Sequence, residues 1–592
     1  MQSESRIFNG IGASGGVAIG KVCLLDRRQV RVPRHHINPE HCASEVSRLE
    51  QAITTSYEQL ESIRSQFVHD GMDHHAILEA HEMMIRDPAL LEEASRLILS
   101  EHINAEWAIS RVISRLRRLF EEMEDSYLRQ RRGDIDFVGD RIIRNLTGKT
   151  ADISELGPLK PGTIIVAHDL GPADTVLLAE QNVTALITEI GGKTSHSSII
   201  ARSMSIPAAV GVHGIFDVGG DGDLIAVDGF NGSVELLPDP TRVQYWQSKA
   251  ASAQQNWQTL LKETALPAET EDHHTISIAG NIEIPQDAHN VFEHGGESIG
   301  LYRTEFLYLQ KNEPDEELHY QTYTSIAKLA QGRSVTIRTV DIGADKLFGA
   351  PANDPVEPNP VLGLRGIRHS LNHPEMFKMQ LAGILRAGVH GHLRILLPMI
   401  TAADEIRQTR RLITEVSADL KRRKLSHTTE IPVGAMIEVP CAVFAADSIC
   451  REVDFLSVGT NDLLQYLLAI DRGNDRVAYL YRPLHPAVLR SLKYVIDFAQ
   501  RHHTPLSICG EMAGEIKHVP TLLGLGFRDL SMNAGTIPRI KRLIREINIS
   551  RCQELVAKLL ETESIEDIEN LAIGFLHEEL ASESSVWTPG SA

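Results

Sequence analysis

The stretch VDFLSVGTND, residues 453–462, is the clearest strand candidate in the second half of the chain. It begins with a short apolar run and ends with two polar residues, Asn461 and Asp462. The sequence LLQY comes directly after them. A short apolar run that is bounded by glycine and polar residues is typical of a buried β-strand. The same pattern recurs on both sides of this stretch.

From about residue 270 onward the chain contains eight such strand candidates. Helical stretches lie between most of them, for example PEMFKMQLAGILRAG at 374–388 and ADEIRQTRRLITEVSADLKRR at 403–423. Eight strand-then-helix units predict a (β/α)8 TIM barrel, which we place at residues 266–580. The eight candidates are TISIAGNI, SIGLYRTEF, SVTIRTVDIG, LRILLPMI, VGAMIEV, VDFLSVGTND, LSICGEM and RDLSMNA.

The first part of the chain predicts a separate α/β domain. Residues 9–25 indicate a strand pair, because glycines supply a turn between alternating apolar residues. Short β-branched strands follow later at PGTIIVAHDL, VTALITEIGG, PAAVGV and DLIAVDG. We expect residues 1–33 and 147–237 to form one compact domain, so that the whole chain is a multidomain α/β protein.

A helical insert interrupts this α/β domain. In EVSRLEQAITTSYEQLESIRSQF, residues 45–67, the apolar positions are spaced by threes and fours, which predicts a long amphipathic helix. The helical pattern continues, and we expect residues 34–146 to form an all-helical subdomain. Residues 238–265 are polar and helix-like, and we expect them to form a linker helix before the barrel.

Composition excludes several classes of protein. The formal net charge of −20 argues against a general nucleic-acid binder, because a phosphate backbone favours a basic surface. We find neither a secretory signal at the N-terminus nor an apolar run of about 18 residues, so no membrane insertion is expected. The six cysteines are sparse and form no CxxC pair, which argues against disulfides or zinc. A cytoplasmic location is expected.

The carboxyl ends of the predicted barrel strands bear charged and polar residues, and this is where a TIM barrel has its active site. Taken alone, each has an ordinary explanation, such as a surface ion pair for an arginine or a helix cap for an aspartate. Their concentration at one end of so many strands favours a site. The residues are Arg303, Arg338, Asp341, Lys346, Glu438, Asn461, Asp462, Arg472, Cys509 and Glu511.

The residue types suggest the ligands of this site. Glu438 and Asp462 form the best pair of oxygen ligands for Mg²⁺ or Mn²⁺. Guanidinium groups make bidentate contacts with both phosphate and carboxylate, so the arginines indicate a small, multiply charged anion as substrate. For Cys509 two interpretations stay open, an inert buried thiol or a proton donor or acceptor.

His196 lies in GGKTSHSSIIARS, residues 191–203, where a loop is predicted to become a helix. Three interpretations of His196 are considered: a residue that merely lies beside a helix cap, a metal ligand, and a covalent acceptor. Metal ligation is weakly supported, because no carboxylate or second histidine has suitable spacing nearby. A helix N-terminus opened by two glycines favours an anion, and neutral imidazole is a competent nucleophile. A phosphoryl group on His196 fits both properties.

With these residues in view, the chain resembles Enzyme I of the bacterial sugar phosphotransferase system, the phosphoenolpyruvate–protein phosphotransferase family. GGKTSHSSIIARSMSIPAAVG is similar to the family's phosphohistidine signature, and DFLSVGTNDLLQYLLAIDRGN is similar to its C-terminal signature. The resemblance runs nearly end to end. Further matches, in family order, are GLYRTEFLY, IRTVDIGADK, NPVLGLRGIR, GAMIEVP and CGEMAGE.

The resemblance implies a role for each matching residue. His196 accepts the phosphoryl group of phosphoenolpyruvate (PEP), and Cys509 protonates the enolate carbon to give pyruvate. Glu438 and Asp462 bind Mg²⁺, for which Mn²⁺ can substitute. The remaining residues are Thr175, which hydrogen-bonds the histidine, and the substrate-binding residues Arg303, Arg338, Arg365, Asn461 and Arg472.

The resemblance also implies partners. The helical insert 34–146 docks the histidine-containing phosphocarrier protein HPr, and the protein is a homodimer through the barrel. His196 and the PEP site lie in different predicted domains, so the histidine has to move between them. The reaction is the first step of sugar uptake by the phosphotransferase system.

Three departures and two alternatives accompany this interpretation. Lys193 replaces the usual arginine of the histidine signature. Lysine keeps the positive charge but lacks the planar guanidinium with its paired N–H donors. ASGG at 13–16 and Leu364 also differ from the usual pattern. Pyruvate phosphate dikinase and PEP synthase share both signatures but need an ATP-binding domain, and no Gly-rich nucleotide loop precedes His196. A regulatory, nitrogen-type phosphorelay paralogue usually has an N-terminal sensor domain, for which the sequence shows no candidate.

Overall fold

The structure is a computed structural model whose described residues fall into two compact units, which divide between Asn256 and Trp257. No helix among these residues is long and apolar enough to cross a membrane. The described residues are 5–25, 32–66, 84–85, 88–122, 132–147, 159–170, 178, 181, 183–192, 198, 201, 206–310, 314–342, 359–471 and 477–579.

The first unit contains an eight-stranded sheet with the order β1-β8-β7-β3-β4-β5-β6-β2. Strands β3 to β6 run parallel to one another, and the remaining pairs are antiparallel. The strands predicted within residues 161–229 are confirmed. The eight strands are β1 (Arg6–Asn9), β2 (Ile11–Ser14), β3 (Val17–Leu25), β4 (Thr163–Ala167), β5 (Ala185–Thr188), β6 (Ala208–Val210), β7 (Leu224–Asp228) and β8 (Ser233–Leu236).

The strand pair predicted at residues 9–25 was half wrong. Two strands are present, but β2 pairs with β6 at the sheet edge, whereas β3 lies between β4 and β7. Gly16, at φ 140°, connects them, and a Cβ at this position would lie 2.6 Å from Pro207 Cγ. The glycines therefore serve a close passage from the edge to the middle of the sheet, and they do not form a hairpin turn.

The predicted helical insert is confirmed for the described residues. Its helices are α1 (Cys42–Gln66), α2 (Pro88–Glu101), α3 (Ala105–Glu122) and α4 (Arg132–Thr147). Their apolar faces meet in a common core in which Leu49, Ile98, Ile109 and Ile142 are fully buried. Periodicity at threes and fours predicted this packing correctly.

A long helix, α5 (Pro240–Lys262), follows the first sheet, as the sequence predicted. Glu235 on β8 is buried and accepts hydrogen bonds from Arg242 and from Trp246 Nε1, the latter at 2.7 Å. Lys249 forms an ion pair with buried Asp228 at 2.8 Å. These bonds attach the first part of α5 to the sheet. Its role as a linker stays a prediction.

The second unit is a closed barrel of eight parallel strands, so the predicted fold class is confirmed. Each of the eight strand candidates supplies one strand. The strands are β9 (Ser277–Ile282), β10 (Ser298–Tyr302), β11 (Val335–Arg338), β12 (Leu393–Leu397), β13 (Val433–Ile437), β14 (Phe455–Val458), β15 (Leu506–Ile508) and β16 (Asp529–Asn533).

Helices surround the barrel and bury their apolar faces against it. The predicted stretches 374–388 and 403–423 are both helical in the structure. The helices are α6 (Asp287–Glu293), α7 (Glu305–Gln310), α8 (Glu316–Leu329), α9 (Ile367–Asn372), α10 (Pro374–Ala387), α11 (Ala403–Arg422), α12 (Pro440–Phe444), α13 (Ala446–Cys450), α14 (Thr460–Leu467), α15 (Pro486–Arg501), α16 (Val519–Leu525), α17 (Ile537–Arg545), α18 (Ile549–Glu561) and α19 (Ile565–Glu579).

A glycine on α10 sets how closely this helix packs on α8. A Cβ at Gly383 would lie 2.4 Å from His319 Cβ and 3.0 Å from the backbone of Tyr320, so the two helices would have to separate. We expect Gly383→Ala to lower the free energy of unfolding of the barrel by about 1–3 kcal/mol. Urea denaturation followed by circular dichroism measures this change.

Gly574→Ala is the matched control for this prediction. Gly574 is also helical, but a Cβ there has no neighbouring atom within 4 Å among the residues that the structure describes. Alanine should therefore raise the free energy of unfolding by about 0.5–1 kcal/mol, since glycine is the poorer helix former. Equal changes in both variants would contradict the close packing of α8 on α10.

Candidate active site

A pocket of about 290 Å³ opens at the carboxyl ends of the barrel strands. Its floor is the apolar cluster that Leu301, Met436 and Cys509 form inside the barrel. Eight of the residues predicted from the sequence line it: Arg303, Arg338, Asp341, Arg365, Glu438, Asn461, Asp462 and Cys509. The predicted Thr175, His196 and Arg472 lie outside the described residues, as do Lys193 and Lys346.

Three carboxylates converge in this pocket. Asp341, Glu438 and Asp462 each offer an oxygen atom, and these atoms lie within 4.8 Å of one another. All three residues are buried. From the sequence, Glu438 and Asp462 are predicted metal ligands, whereas Asp341 is predicted only to lie at a strand end. Its position after β11 was the available signal.

Two arginines form ion pairs with these carboxylates. Arg365 spans two of them, with Nη2 2.9 Å from Asp341 Oδ2 and 3.1 Å from Asp462 Oδ2. Arg338 Nη1 lies 3.0 Å from Asp341 Oδ2, and its Nη2 lies 3.1 Å from Glu305 Oε1. Because a guanidinium has several donors in a fixed plane, each arginine can bridge two acceptors at once.

Glu438 is the most deeply buried member of the cluster. Its Oε1 accepts a hydrogen bond from the Met399 backbone N–H at 2.6 Å. Burial, followed by the charges of Asp341 and Asp462, raises the pKa of Glu438 to about 8. A carboxyl group held so far from its ordinary pKa depends on a nearby positive charge to ionise at neutral pH.

The donor set fits a hard divalent cation. Mg²⁺ and Mn²⁺ prefer carboxylate oxygens, and a cation relieves the repulsion between three close carboxylates. Gly459 keeps space beside Glu438, since a Cβ there would lie 2.9 Å from Oε2. These observations support the metal site by the chemistry of its residues.

The arginine side of the pocket has capacity for an anion. Arg338 Nε is buried and makes no hydrogen bond with any residue that the structure describes. Arg303 is half-buried, and its Nη1 donates to Glu283 Oε1 at 2.7 Å. Cationic groups that converge on one pocket with a donor left over favour a phosphate or carboxylate ligand.

Asn461 connects two of the loops that border the pocket. Its Oδ1 accepts from the Glu511 backbone N–H at 3.0 Å, and its Nδ2 lies 3.4 Å from Glu511 Oε1. The adjoining Gly510 is obligatory, because a Cβ there would lie 1.7 Å from Thr460 Oγ1. The loops after β14 and β15 therefore pack in direct contact.

Cys509 lies at the base of the pocket with its thiol buried. Ser457 Oγ donates to the sulfur at 3.3 Å, and the thiol lies 3.6 Å from the Val458 carbonyl oxygen. Burial raises the pKa of Cys509 above its ordinary value. The sulfur is therefore protonated at neutral pH, which is the state that a proton donor needs.

This protonation state predicts slow alkylation of Cys509. The thiolate is the reactive form, so iodoacetamide at neutral pH should modify exposed Cys441 at least about tenfold faster than Cys509. Mass spectrometry of tryptic peptides measures both rates. In Cys441→Ser the Cys509 rate should stay unchanged and rise only on unfolding. Equally fast modification of the two thiols would contradict the burial of Cys509.

In the first unit, the structure describes the residues on both sides of the predicted His196 loop. β5 ends at Thr188 and leads to Gly191, which has φ 116°. Ser198 Oγ donates to the Gly192 carbonyl oxygen at 2.7 Å. This bond holds Gly192 and Ser198 close together, and residues 193–197 between them, which include His196, lie outside the described residues.

The chain matches three domain families of PEP-utilising enzymes. The N-terminal domain matches residues 9–131, the mobile domain residues 159–232 and the PEP-binding domain residues 258–549. Among its relatives, the phosphoenolpyruvate-protein phosphotransferase of Priestia megaterium is 39% identical over 95% of this chain and 98% of the relative. Those of Bacillus subtilis (38% identical; 95% and 98%) and Haemophilus influenzae (36%; 97% and 99%) are similar over the same length. The chain therefore belongs to the phosphoenolpyruvate–protein phosphotransferase family.

Proposed function

We propose that this protein transfers the phosphoryl group of PEP to its own His196 and then to the histidine of phosphocarrier protein HPr, releasing pyruvate. One observation carries the proposal: three buried carboxylates, Arg338 and Arg365 converge in one pocket at the carboxyl ends of the barrel strands. Such a pocket suits a small substrate with a phosphate and a carboxylate. The transfer is the first step of sugar uptake by the phosphotransferase system.

Charge neutralisation is the main task of the barrel residues. In phosphoryl transfer the protein positions the reactants and stabilises charge more than it reacts covalently. Arg303 and Arg338 bind the phosphate of PEP, while Arg365, Asn461 and Arg472 complete the substrate site. Glu438 and Asp462 would hold Mg²⁺, with Asp341 beside them. The cation would supply positive charge that stabilises the negative charge of the reacting groups.

Two residues, His196 and Cys509, take part in the covalent steps. A nitrogen of neutral His196 forms a bond to phosphorus, and the bond between phosphorus and the enol oxygen breaks. The electron pair of that bond stays on the oxygen, which gives the enolate of pyruvate. The Cys509 thiol then donates its proton to the methylene carbon, and the buried thiolate accepts a hydrogen bond from Ser457.

His196 and the PEP site belong to different units of the chain. Delivery to HPr therefore needs motion that moves His196 away from the barrel after each transfer. We propose α5 as the linker, helices α1 to α4 as the docking surface for HPr, and Thr175 as the group that orients His196. The family resemblance also supports a cytoplasmic homodimer that is formed through the barrel.

One assay tests this function against its alternatives. The protein is incubated with PEP, Mg²⁺ and HPr, and pyruvate release and phosphorylated HPr are both measured. Stoichiometric formation of the two products without ATP or inorganic phosphate is expected. A strict requirement for ATP or inorganic phosphate would favour the dikinase alternative. Phosphorylation of a regulatory carrier but not of HPr would favour the nitrogen-type paralogue.

A further inference from the structure

The backbone of residues 338–341, at the end of β11, forms hydrogen bonds with several other elements. The Arg338 carbonyl oxygen accepts from Thr304 Oγ1 at 2.9 Å, and the Val340 N–H donates to Gln380 Oε1 at 3.1 Å. The Asp341 N–H donates to Glu305 Oε1 at 2.9 Å. This turn presents Arg338 and Asp341 to the pocket, so these bonds set the position of both side chains.

Thr304 also links this turn to the preceding strand end. It directly follows Arg303, whose backbone N–H donates to the Ile282 carbonyl oxygen at 3.0 Å. Its hydroxyl donates to the Arg338 carbonyl and accepts from Gln380 Nε2 at 3.2 Å. The turn that presents Arg303 and the turn that presents Arg338 are therefore joined through one buried hydroxyl.

Gln380, on α10, is the centre of this arrangement. Its Oε1 accepts from Val340, and its Nε2 donates both to Thr304 and to the Tyr323 hydroxyl, the latter at 3.2 Å. The side chain is fully buried, as is that of Thr304. Both Nε2 hydrogens and the Oε1 atom are thus used, which leaves the amide a single orientation. Gly383 on the same helix permits the close approach to α8 that brings Tyr323 within reach.

The far end of the network is also fixed. Tyr323 lies on α8, and its hydroxyl is 3.0 Å from Nδ1 of buried His319. Burial lowers the pKa of His319 to about 3, so the ring is neutral. Its Nε2 lies 3.4 Å from the Tyr308 hydroxyl. Among the described residues, the hydrogen bonds of Tyr323, His319 and Tyr308 reach neither Arg303 nor Arg338, so this end of the network serves as a control.

We propose that Gln380 and Thr304 are positioning residues that fix Arg303 and Arg338 at the spacing needed for the phosphate of PEP. The proposal rests on the proposed function. A displacement of about 1 Å at such a site costs up to about a hundredfold in rate, so a hydrogen bond that sets the backbone of both turns matters beyond stability. The alternative is that the buried network only stabilises the barrel.

Two pairs of variants separate these roles in the full-length protein. Thr304→Val removes the hydroxyl at constant shape, whereas Thr304→Ser keeps it. Gln380→Leu removes all three hydrogen bonds of Gln380, whereas Tyr323→Phe removes the bonds of the Tyr323 hydroxyl to Gln380 and His319 but keeps those of Gln380 to Thr304 and Val340. The readouts are the melting temperature, the KM for PEP and the maximal rate of phosphorylation by PEP with Mg²⁺.

We expect Thr304→Val and Gln380→Leu to raise the KM for PEP by at least about tenfold. The KM of Thr304→Ser should stay within about threefold of the wild-type KM. The KM of Tyr323→Phe should also stay within this range, even though the melting temperature of this variant falls. A merely structural role predicts the opposite pattern, with lower melting temperatures and unchanged KM in every folded variant. That pattern overturns the proposal.

Failure of the proposed function gives a different result. A wild-type protein that PEP does not phosphorylate at all would refute the function before any variant is compared. A phosphorylated wild type with unchanged KM in Thr304→Val and Gln380→Leu would refute only the positioning role. If either variant fails to fold, the comparison of Thr304→Ser with Thr304→Ala decides. Thr304→Ala removes the hydroxyl that joins the two turns without adding volume, so the KM of Thr304→Ala alone should rise.

Discussion

Arg338→Lys is expected to slow phosphorylation by PEP about 10²–10³-fold at saturating Mg²⁺, although the charge is kept. Arg338 contacts Asp341 with one guanidinium nitrogen and Glu305 with another, and its Nε remains buried without a described partner. A lysine ammonium has one centre of charge and cannot bridge both carboxylates while it also binds phosphate. Quenched-flow measurement of protein-bound label gives the rate.

Arg394→Lys is the matched control for this variant. Arg394 lies on β12, where its Nη2 donates to Thr336 Oγ1 at 2.8 Å and its guanidinium packs 4.6 Å from the Phe455 ring centroid. It is partly buried in the same barrel but does not line the pocket. Its replacement should lower the melting temperature and leave the rate within about threefold. If the phosphorylation rate of Arg338→Lys fell by less than about tenfold, the planar guanidinium with its several donors would not have the role proposed for it.

Glu438→Gln is expected to lower the rate of phosphorylation by about 10³-fold and to abolish its dependence on Mg²⁺ concentration. The amide has nearly the same shape, and its oxygen can still accept from Met399. It lacks the negative charge that a divalent cation requires at this position. Rates over a Mg²⁺ titration, together with Mn²⁺ binding followed by electron paramagnetic resonance, measure both effects.

Glu438→Gln should also change the pH dependence of the protein's stability when no metal is bound. The pKa of Glu438 rises from 4.5 to about 8 on folding, so the folded state binds this proton more tightly than the unfolded state. The associated stability is fully present below pH 4.5 and is lost as pH rises through about 8. In EDTA, the melting temperature of the wild type should therefore fall as pH rises from 4.5 to about 8. The melting temperature of Glu438→Gln should fall less over the same range. Mg²⁺ should raise the wild-type melting temperature most at the upper end.

Glu405→Gln controls for a general effect of removing a carboxylate. Glu405 accepts hydrogen bonds from the backbone N–H groups of Thr401 and Ala402 at the start of α11, and it does not line the pocket. We expect a lower melting temperature with normal Mg²⁺ dependence. If Glu438→Gln kept Mg²⁺-dependent phosphorylation at the wild-type rate, the metal assignment would be wrong.

Much of the fold was predictable because its signals are local. Each barrel strand is a short apolar run next to turn residues, and a closed parallel barrel follows from their number and their alternation with helices. The pairing of β2 with β6 was not predictable, because those partners are far apart in sequence. Glycines at 15–16 mark a change of direction in the chain but do not say whether it is a turn or a close passage.

The site was predictable to the extent that its residues end strands. Glu438 and Cys509 follow strands directly, Asp462 lies in the first turn of the helix after β14, and the barrel geometry brings the three together. Arg365 was found only through the family resemblance, because it lies between β11 and β12 beyond a long connection. Gln380 gave no signal, since a polar residue within an amphipathic helix is ordinary. Its importance depends on contacts with Thr304 and Val340 that only the folded chain reveals.

In the proposed reaction, PEP bound in the barrel pocket gives its phosphoryl group to His196. The direct measurement incubates the protein with PEP that is labelled on phosphorus, with Mg²⁺ and without HPr, and then maps the label by peptide analysis. We expect one acid-labile, alkali-stable label per chain on the peptide that contains His196, equal release of pyruvate, and no label in His196→Ala. Label on another residue, or label that survives in His196→Ala, would contradict the account.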